Sequence, residues 1–223
     1  YQWTPKHTLF GRYLLDSSRG PNPYELTKNL LTGGQLGPNG LAQSFTLGST
    51  YLISSNIVNT LRLTGNRTAT NNDGGSFISW ADMGANIYAP VPHMMVLTVT
   101  GAFSIGTASQ GGPAVGNFLG GNDDVSWVRG NHQLAFGVAG GHFTNNDYNK
   151  GRDTGRSSIT GTITGSAMAD FMTGNVAAFD QGGSNRRQEY KWYLGTYGAD
   201  TWKASRNVTV NYGVRWEPYF AQV

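Results

Sequence analysis

Cysteine is absent from the 223 residues, and charged residues make up only 13% of them. The first absence excludes disulfide frameworks, thiolate zinc sites and thiol nucleophiles together. The second leaves about half the charge of an ordinary soluble domain. A disordered chain is excluded as well, because 12% of the residues are aromatic and such rings need burial or an interface. Long apolar runs are also lacking. Stretches such as Met94-Met95-Val96-Leu97 and residues 87–92 fall far short of the roughly 18 to 20 residues of a membrane-spanning helix. No basic segment followed by an apolar one opens the chain, so no signal peptide is read. The net charge of +3 comes from scattered Lys and Arg, without the basic patch that marks nucleic-acid binding.

What is abundant is glycine, with 32 residues, about twice the usual share, and strict alternation. Val208, Val210, Tyr212, Val214 and Trp216 alternate with Thr209, Asn211, Gly213, Arg215 and Glu217. Successive side chains of a strand point to opposite faces, so one face here is apolar and the other polar. Upstream, residues 190–202 read as a second strand, joined to the first by the short polar segment 203–207. This grouping puts Tyr193 and Tyr197 on one face and Asp200 on the other. Two further hairpins share the pattern. Val125 and Trp127 turn at residues 129–131 into Leu134, Phe136 and Val138, and Phe45, Leu47 and Tyr51 turn at residues 54–56 into Ile57, Leu61 and Leu63.

With a strand near His7 to Leu15, about seven strands are expected, at 7–15, 42–52, 57–66, 119–128, 132–143, 189–202 and 207–217. Their length, near ten residues, exceeds the five or six usual in soluble sheets and suits a tilted crossing of a bilayer. Tight turns alternate with long excursions over 16–41, 67–118 and 144–188, the asymmetry that outer-membrane barrels show between periplasmic turns and extracellular loops. Alternation alone also fits a soluble β-sandwich, which would bind carbohydrate through exposed aromatics such as Trp80, Tyr88 and Tyr148.

The phrases carried by these strands resemble a known family. Residues Gly165 to Gly174, Tyr193 to Lys203 and Asn207 to Glu217, preceded by Asn131 to Gly137 and Lys6 to Tyr13, are similar in kind and order to TonB-dependent transporters of the Oar-like group. The resemblance implies an all-β, antiparallel, up-and-down transmembrane sheet: an open fragment of a large barrel, of about 22 strands, in the outer membrane of a Gram-negative bacterium. It further implies that residues 1–223 are a partial barrel, truncated at both ends and lacking the plug domain. Its function would be to bind or move a solute at the cell surface. Its partners would be outer-membrane lipid, an unknown transported ligand, and the plug and TonB complex through the missing parent segments, with no nucleic acid. Ala199-Asp200-Thr201 departs from the paired acids usual at this point in the family.

On that arrangement the lipid-facing or girdle candidates are Trp127, Leu134, Phe136, Tyr193, Tyr197, Trp202, Val210, Tyr212, Val214 and Trp216, and the lumen-facing polar candidates are Arg62, Asp200, Arg215 and Glu217. No catalytic, cofactor or metal residue is expected, and the chain is not read as an enzyme. His7, His93, His132 and His142 lie in separate segments without ligand spacing. Asn145, Asp147 and Asn149 imitate the start of a calcium loop, but Lys150 replaces its turn glycine and Arg156 its bidentate Glu. No nucleophile elbow, phosphate loop or dinucleotide fingerprint occurs. Residues 166–173 have the spacing of a short loop helix with Met168, Phe171 and Met172 on its packed face.

Overall fold

The computed structural model describes residues 1–71, 75–106 and 111–222. Eight strands form one antiparallel sheet: β1 (Gln2–Thr4), β2 (His7–Arg19), β3 (Asn39–Ser54), β4 (Ile57–Asn71), β7 (Gly111–Arg129), β8 (His132–Asn149), β11 (Asn185–Lys203) and β12 (Thr209–Trp216). Their order in the sheet is their order in the chain, so every neighbour is reached by a hairpin or a longer loop and no connection crosses another. All seven expected strands are present. The addition is β1, which folds back on β2 through the turn at Pro5 and Lys6. The sheet is open, with β1 and β12 at its two edges.

Most of these strands run well past their expected ends. β7 and β11 have 19 residues each and β8 has 18. At about 3.3 Å per residue and a tilt near 40°, 19 residues rise roughly 48 Å, against a hydrocarbon core of about 30 Å. The surplus is polar on both faces, as in Thr144 to Asn149 of β8 and Asn185 to Glu189 of β11, which pair with each other. Alternation stops there because no apolar medium lies on either side.

The second and third long excursions are not irregular. They supply β5 (Val96–Val99) and β6 (Phe103–Ile105), and β9 (Arg156–Ile159), α2 (Ala167–Thr173) and β10 (Ala178–Asp180) respectively. These strands join in a second sheet of order β10-β9-β5-β6, with β5 and β9 parallel. Met95, Leu97, Val99, Ile105 and Ile159 form its buried core, with Phe77, Trp80, Phe103 and Phe171 against it. The first excursion carries α1 (Pro23–Thr27) and a 3-10 turn (Leu30–Thr32), and Tyr24 meets the edge of Phe77. The three loops thus make one cap beyond one rim.

The location of this core decides between the two architectures. Every buried apolar residue among the described ones belongs to the cap. Among the described residues no second sheet stacks on the large one, and its apolar side chains stand exposed, Leu119 at 63%, Trp192 at 62% and Val214 at 74%. A soluble sandwich would bury that face, so the sandwich expectation is overturned. The apolar face is built to meet hydrocarbon.

Candidate functional site

Residues directly opposite on paired strands share a face, so the pairing divides the sheet without ambiguity. One face carries Tyr13, Phe45, Leu63, Leu119, Trp127, Leu134, Phe136, Val138, Trp192, Leu194, Trp202, Val210, Tyr212, Val214 and Trp216, interrupted by Asn59, which donates to Asp123 beside it. The other carries Arg12, Thr46, Arg62, Thr64, Asn122, Asp124, Gly137, Tyr193, Tyr197, Asn211 and Arg215. The apolar face has aromatic belts at two depths. Near the short turns, Trp3 stacks on His7, His7 meets the edge of Tyr51, Trp202 stacks on His132, and Arg129 lies over Trp127. Toward the cap, Trp192 packs on His142 at 4.2 Å between ring centroids. From Trp192 to Trp202 along β11 the chain climbs about 33 Å, or about 25 Å when tilted, the height of the apolar band in an outer-membrane barrel.

Two groups of sequence-assigned residues change sides. Tyr193 and Tyr197, expected with the girdle, lie on the face of Arg62 and Arg215, opposite Trp202 and Val210. β11 pairs with β8 and β12 without a bulge, so residues 193 and 202, which differ in parity, cannot share a face. Polar partners hold both rings. Tyr197 donates its hydroxyl to Asp124 at 2.8 Å, and the Tyr193 hydroxyl donates to Glu217 and accepts from Arg215. Asp200, expected with Arg62, Arg215 and Glu217, lies among Trp202, Val210 and Tyr212 instead. It sits near the turn end, and one of its carboxylate oxygens bonds both His132 Nδ1 at 2.6 Å and the hydroxyl of Tyr212 at 2.7 Å. A carboxylate at this depth is tied to three strands and capped by the Trp202–His132 stack.

The polar face carries its charges in small bonded groups. Arg215 pairs with Glu217, Asp124 also accepts from Asn122, and farther toward the cap Arg187 bridges Asp147 and Glu189. Asn145, Asp147 and Asn149 alternate along β8 rather than lining a loop, and Asn145 and Asp147 face partners on β11. Among the described residues no three acidic or histidine side chains gather as a metal site.

The cap is ordered by local polar chemistry that the sequence shows only as small residues. Ser166 caps the N-terminus of α2, and Gly174, at φ +75°, ends it in the left-handed conformation that favours glycine. Asp170 is buried and accepts from the Thr164 hydroxyl and from the backbone N–H groups of Ile163 and Thr164. The Thr164 hydroxyl foremost, with those amides, holds its carboxyl below the usual range against the opposing effect of burial. Anchoring Asp170 inward turns the helix, so Ala167 and Phe171 meet the core while Met168 and Met172 are exposed. The expected face of Met168, Phe171 and Met172 is therefore only one-third right. Elsewhere in the cap, the Ser79 hydroxyl and amide, followed by His93, keep Asp82 low, and Arg156 does so for Asp180.

No curated protein and no solved structure matches the chain. The family model of an outer membrane beta barrel domain matches it over residues 1–223, its full length. The open antiparallel sheet, the exposed apolar face between two aromatic belts and the polar opposite face agree with that match: the chain belongs to the outer membrane beta barrel domain family and is a protein of the Gram-negative outer membrane.

Proposed function

We propose that these 223 residues form part of the barrel wall of a TonB-dependent transporter or receptor of the Oar-like group, which binds or moves a solute at the cell surface. The observation that carries this reading is the pairing of a charged, tyrosine-bearing inner face with a cap folded from all three rim loops. A simple pore needs no such cap. The charges of Arg62, Asp124, Arg215 and Glu217 would meet a plug domain or the passing solute, and the apolar face would meet outer-membrane lipid. The chain carries no covalent chemistry on this reading. Among the described residues β1 and β12 are each paired on one side only, and an unpaired backbone group costs several kcal/mol in hydrocarbon, so both edges would pair with further strands of the same barrel.

Photo-crosslinking tests the plug. A benzophenone amino acid placed at Arg62 or Tyr197 in the intact protein should yield an internal cross-link to a globular segment outside the barrel wall, and one at Leu63 should yield lipid adducts only. Absence of protein cross-links from both polar-face positions would leave a wall without a plug and defeat the transporter reading.

A further inference from the structure

Two cavities meet in the cap, above the ends of β8 and β11. One, of about 510 Å³, is lined by Asn149, Arg152, Arg156 and Asn185, and the other, of about 360 Å³, by Tyr88, Pro90, Asp153 and Gln181. Gly182 and Gly183 belong to both walls, and a Cβ on Gly183 would meet nothing within 4 Å, so no side chain divides the floor there. Each lies within the size range of small-molecule sites. The cleft is held open between two loops by Gln181, whose amide nitrogen donates to the carbonyls of Tyr88 at 2.6 Å and Asp153 at 3.2 Å.

The chemistry differs from end to end. At one end Arg156 engages Asp180 closely, while Arg152 approaches the same carboxylate only through Nε at 3.8 Å and is 66% exposed. That leaves most of the Arg152 fork, a planar donor set suited to a carboxylate, beside two asparagine amides. At the other end Tyr88 is 77% exposed, although aromatic rings of that size favour burial or an interface. Beside it Asp153 is buried, and its Oδ1 has no hydrogen-bond partner. A buried unpaired acceptor is costly unless something donates to it.

We propose that this cleft binds a short acidic saccharide, a uronic-acid oligomer, with a sugar carboxylate on Arg152, hydroxyls on Asn149, Asn185 and the Asp153 end, and a sugar ring on Tyr88. Pyranose rings present weakly positive C–H groups on their faces, which suit the negative face of a tyrosine. Paired ring hydroxyls match acceptors such as Asp153, and the guanidinium selects an acidic sugar over a neutral one. The inference deepens the receptor reading by naming the class of solute that the cap would take.

The test is calorimetric titration of the intact protein in detergent micelles with trigalacturonate, with maltotriose as the neutral control. Trigalacturonate should bind saturably and maltotriose should not. Arg152→Gln should weaken binding about tenfold or more, as expected for a lost charge-assisted contact. Tyr88→Ala should weaken it severalfold while leaving the heat-modifiable migration of the barrel unchanged. No saturable binding, equal binding of maltotriose, or indifference to Tyr88→Ala would overturn the proposal, the last by reducing the cleft to a site for any anion. Because binding is read without energisation, its failure removes the saccharide site alone, and the plug cross-link remains the separate test of transport.

Discussion

Lysine placed on adjacent residues of one strand separates the two faces most sharply. Val138 lies on β8, six residues from His132 at the turn rim and six from Thr144, where the apolar pattern ends. Six residues rise about 20 Å, or about 15 Å at a 40° tilt, which puts Val138 near the middle of a hydrocarbon core about 30 Å thick. Asp123 of β7 lies directly opposite Val138 on the same face, so the lysine is placed in an Asp123→Asn background, where Val138→Lys should cost about 2 to 4 kcal/mol, a factor of about 30 to 900 in the folding equilibrium. Its neighbour Ala139 points to the polar face, between Asn122 of β7 and Gly195 of β11. Ala139→Lys has the Asn122 amide on one side and, over Gly195 on the other, the Tyr193 hydroxyl and the Glu217 carboxylate, polar partners for an ammonium, and should cost less than about 1 kcal/mol. The depth term can be checked on the same strand, because Leu134→Lys, close to the turn rim, should cost less than Val138→Lys. The assay is urea titration of the intact protein folded in lipid vesicles, followed by heat-modifiable migration. Equal costs at Val138 and Ala139, or no gradient from Val138 to Leu134, would refute the assignment of the apolar face to lipid.

The cap and the wall should fail independently. Gly106 has φ +75°, and a Cβ there would lie 1.9 Å from the carbonyl oxygen of Met95. Gly106→Ala adds about 1 to 2 kcal/mol of backbone strain to a clash that no side chain can relieve, so loop proteolysis on intact cells should rise while barrel migration stays unchanged. Asp170 has its folded pKa depressed, so its contribution to the cap is present above the ordinary carboxylate value of 3.8 and is lost as pH falls through the lower, folded value. Hydrogen exchange at Ile163 and Thr164 should stay slow at pH 5 and quicken only well below pH 3.8, and Asp170→Asn should remove that pH dependence. The native chain has no cysteine, which makes single-cysteine labelling clean. Arg62→Cys should react with a water-soluble maleimide in native membranes, and Leu63→Cys should not. Reaction at both positions, or at Leu63→Cys alone, would contradict the division of faces.

Strands were legible wherever one face meets water and the other hydrocarbon, because that contrast is what writes period two into a sequence. β12 shows it across its whole length, from Thr209 to Trp216. Where β8 and β11 pass beyond the membrane, at Asn145 with Glu189 and Asp147 with Arg187, both faces are polar and the signal vanishes although the pairing continues. The cap was illegible for a different reason. β5 pairs in parallel with β9 from another loop, and although β6 folds back on it as a local hairpin, strands of four and three residues, with Thr98 alone exposed on β5, are too short to show alternation. Only α2 left a trace, in the spacing of Met168, Phe171 and Met172, while the inward turn of Asp170 depended on amides of the preceding loop.

The exchanged residues have a cause that extends through the sheet. Glycine notches occur on both faces, and aromatic rings lie over them. On the polar face a Cβ on Gly48 would meet the Phe10 ring, one on Gly137 the Tyr197 ring, and one on Gly120 or Gly141 the Phe118 ring. Gly65 is covered by Phe45 in the same way on the apolar face. Glycine lets a strand bend and coil but leaves no side chain to pack, and an overlying ring restores the contact. An aromatic residue in this sheet thus has two reasons to exist, lipid contact and notch filling, and composition alone does not distinguish them. Tyr197 belongs to the second kind, with Gly137 beneath its ring and Asp124 at its hydroxyl. Asp200 is the converse, a carboxylate on the apolar face with one oxygen held by His132 and Tyr212, at the depth where that face meets polar headgroups. The abundance of glycine and the presence of tyrosine beside charge are one structural device, which lets a wall of long strands curve while keeping its inner face polar.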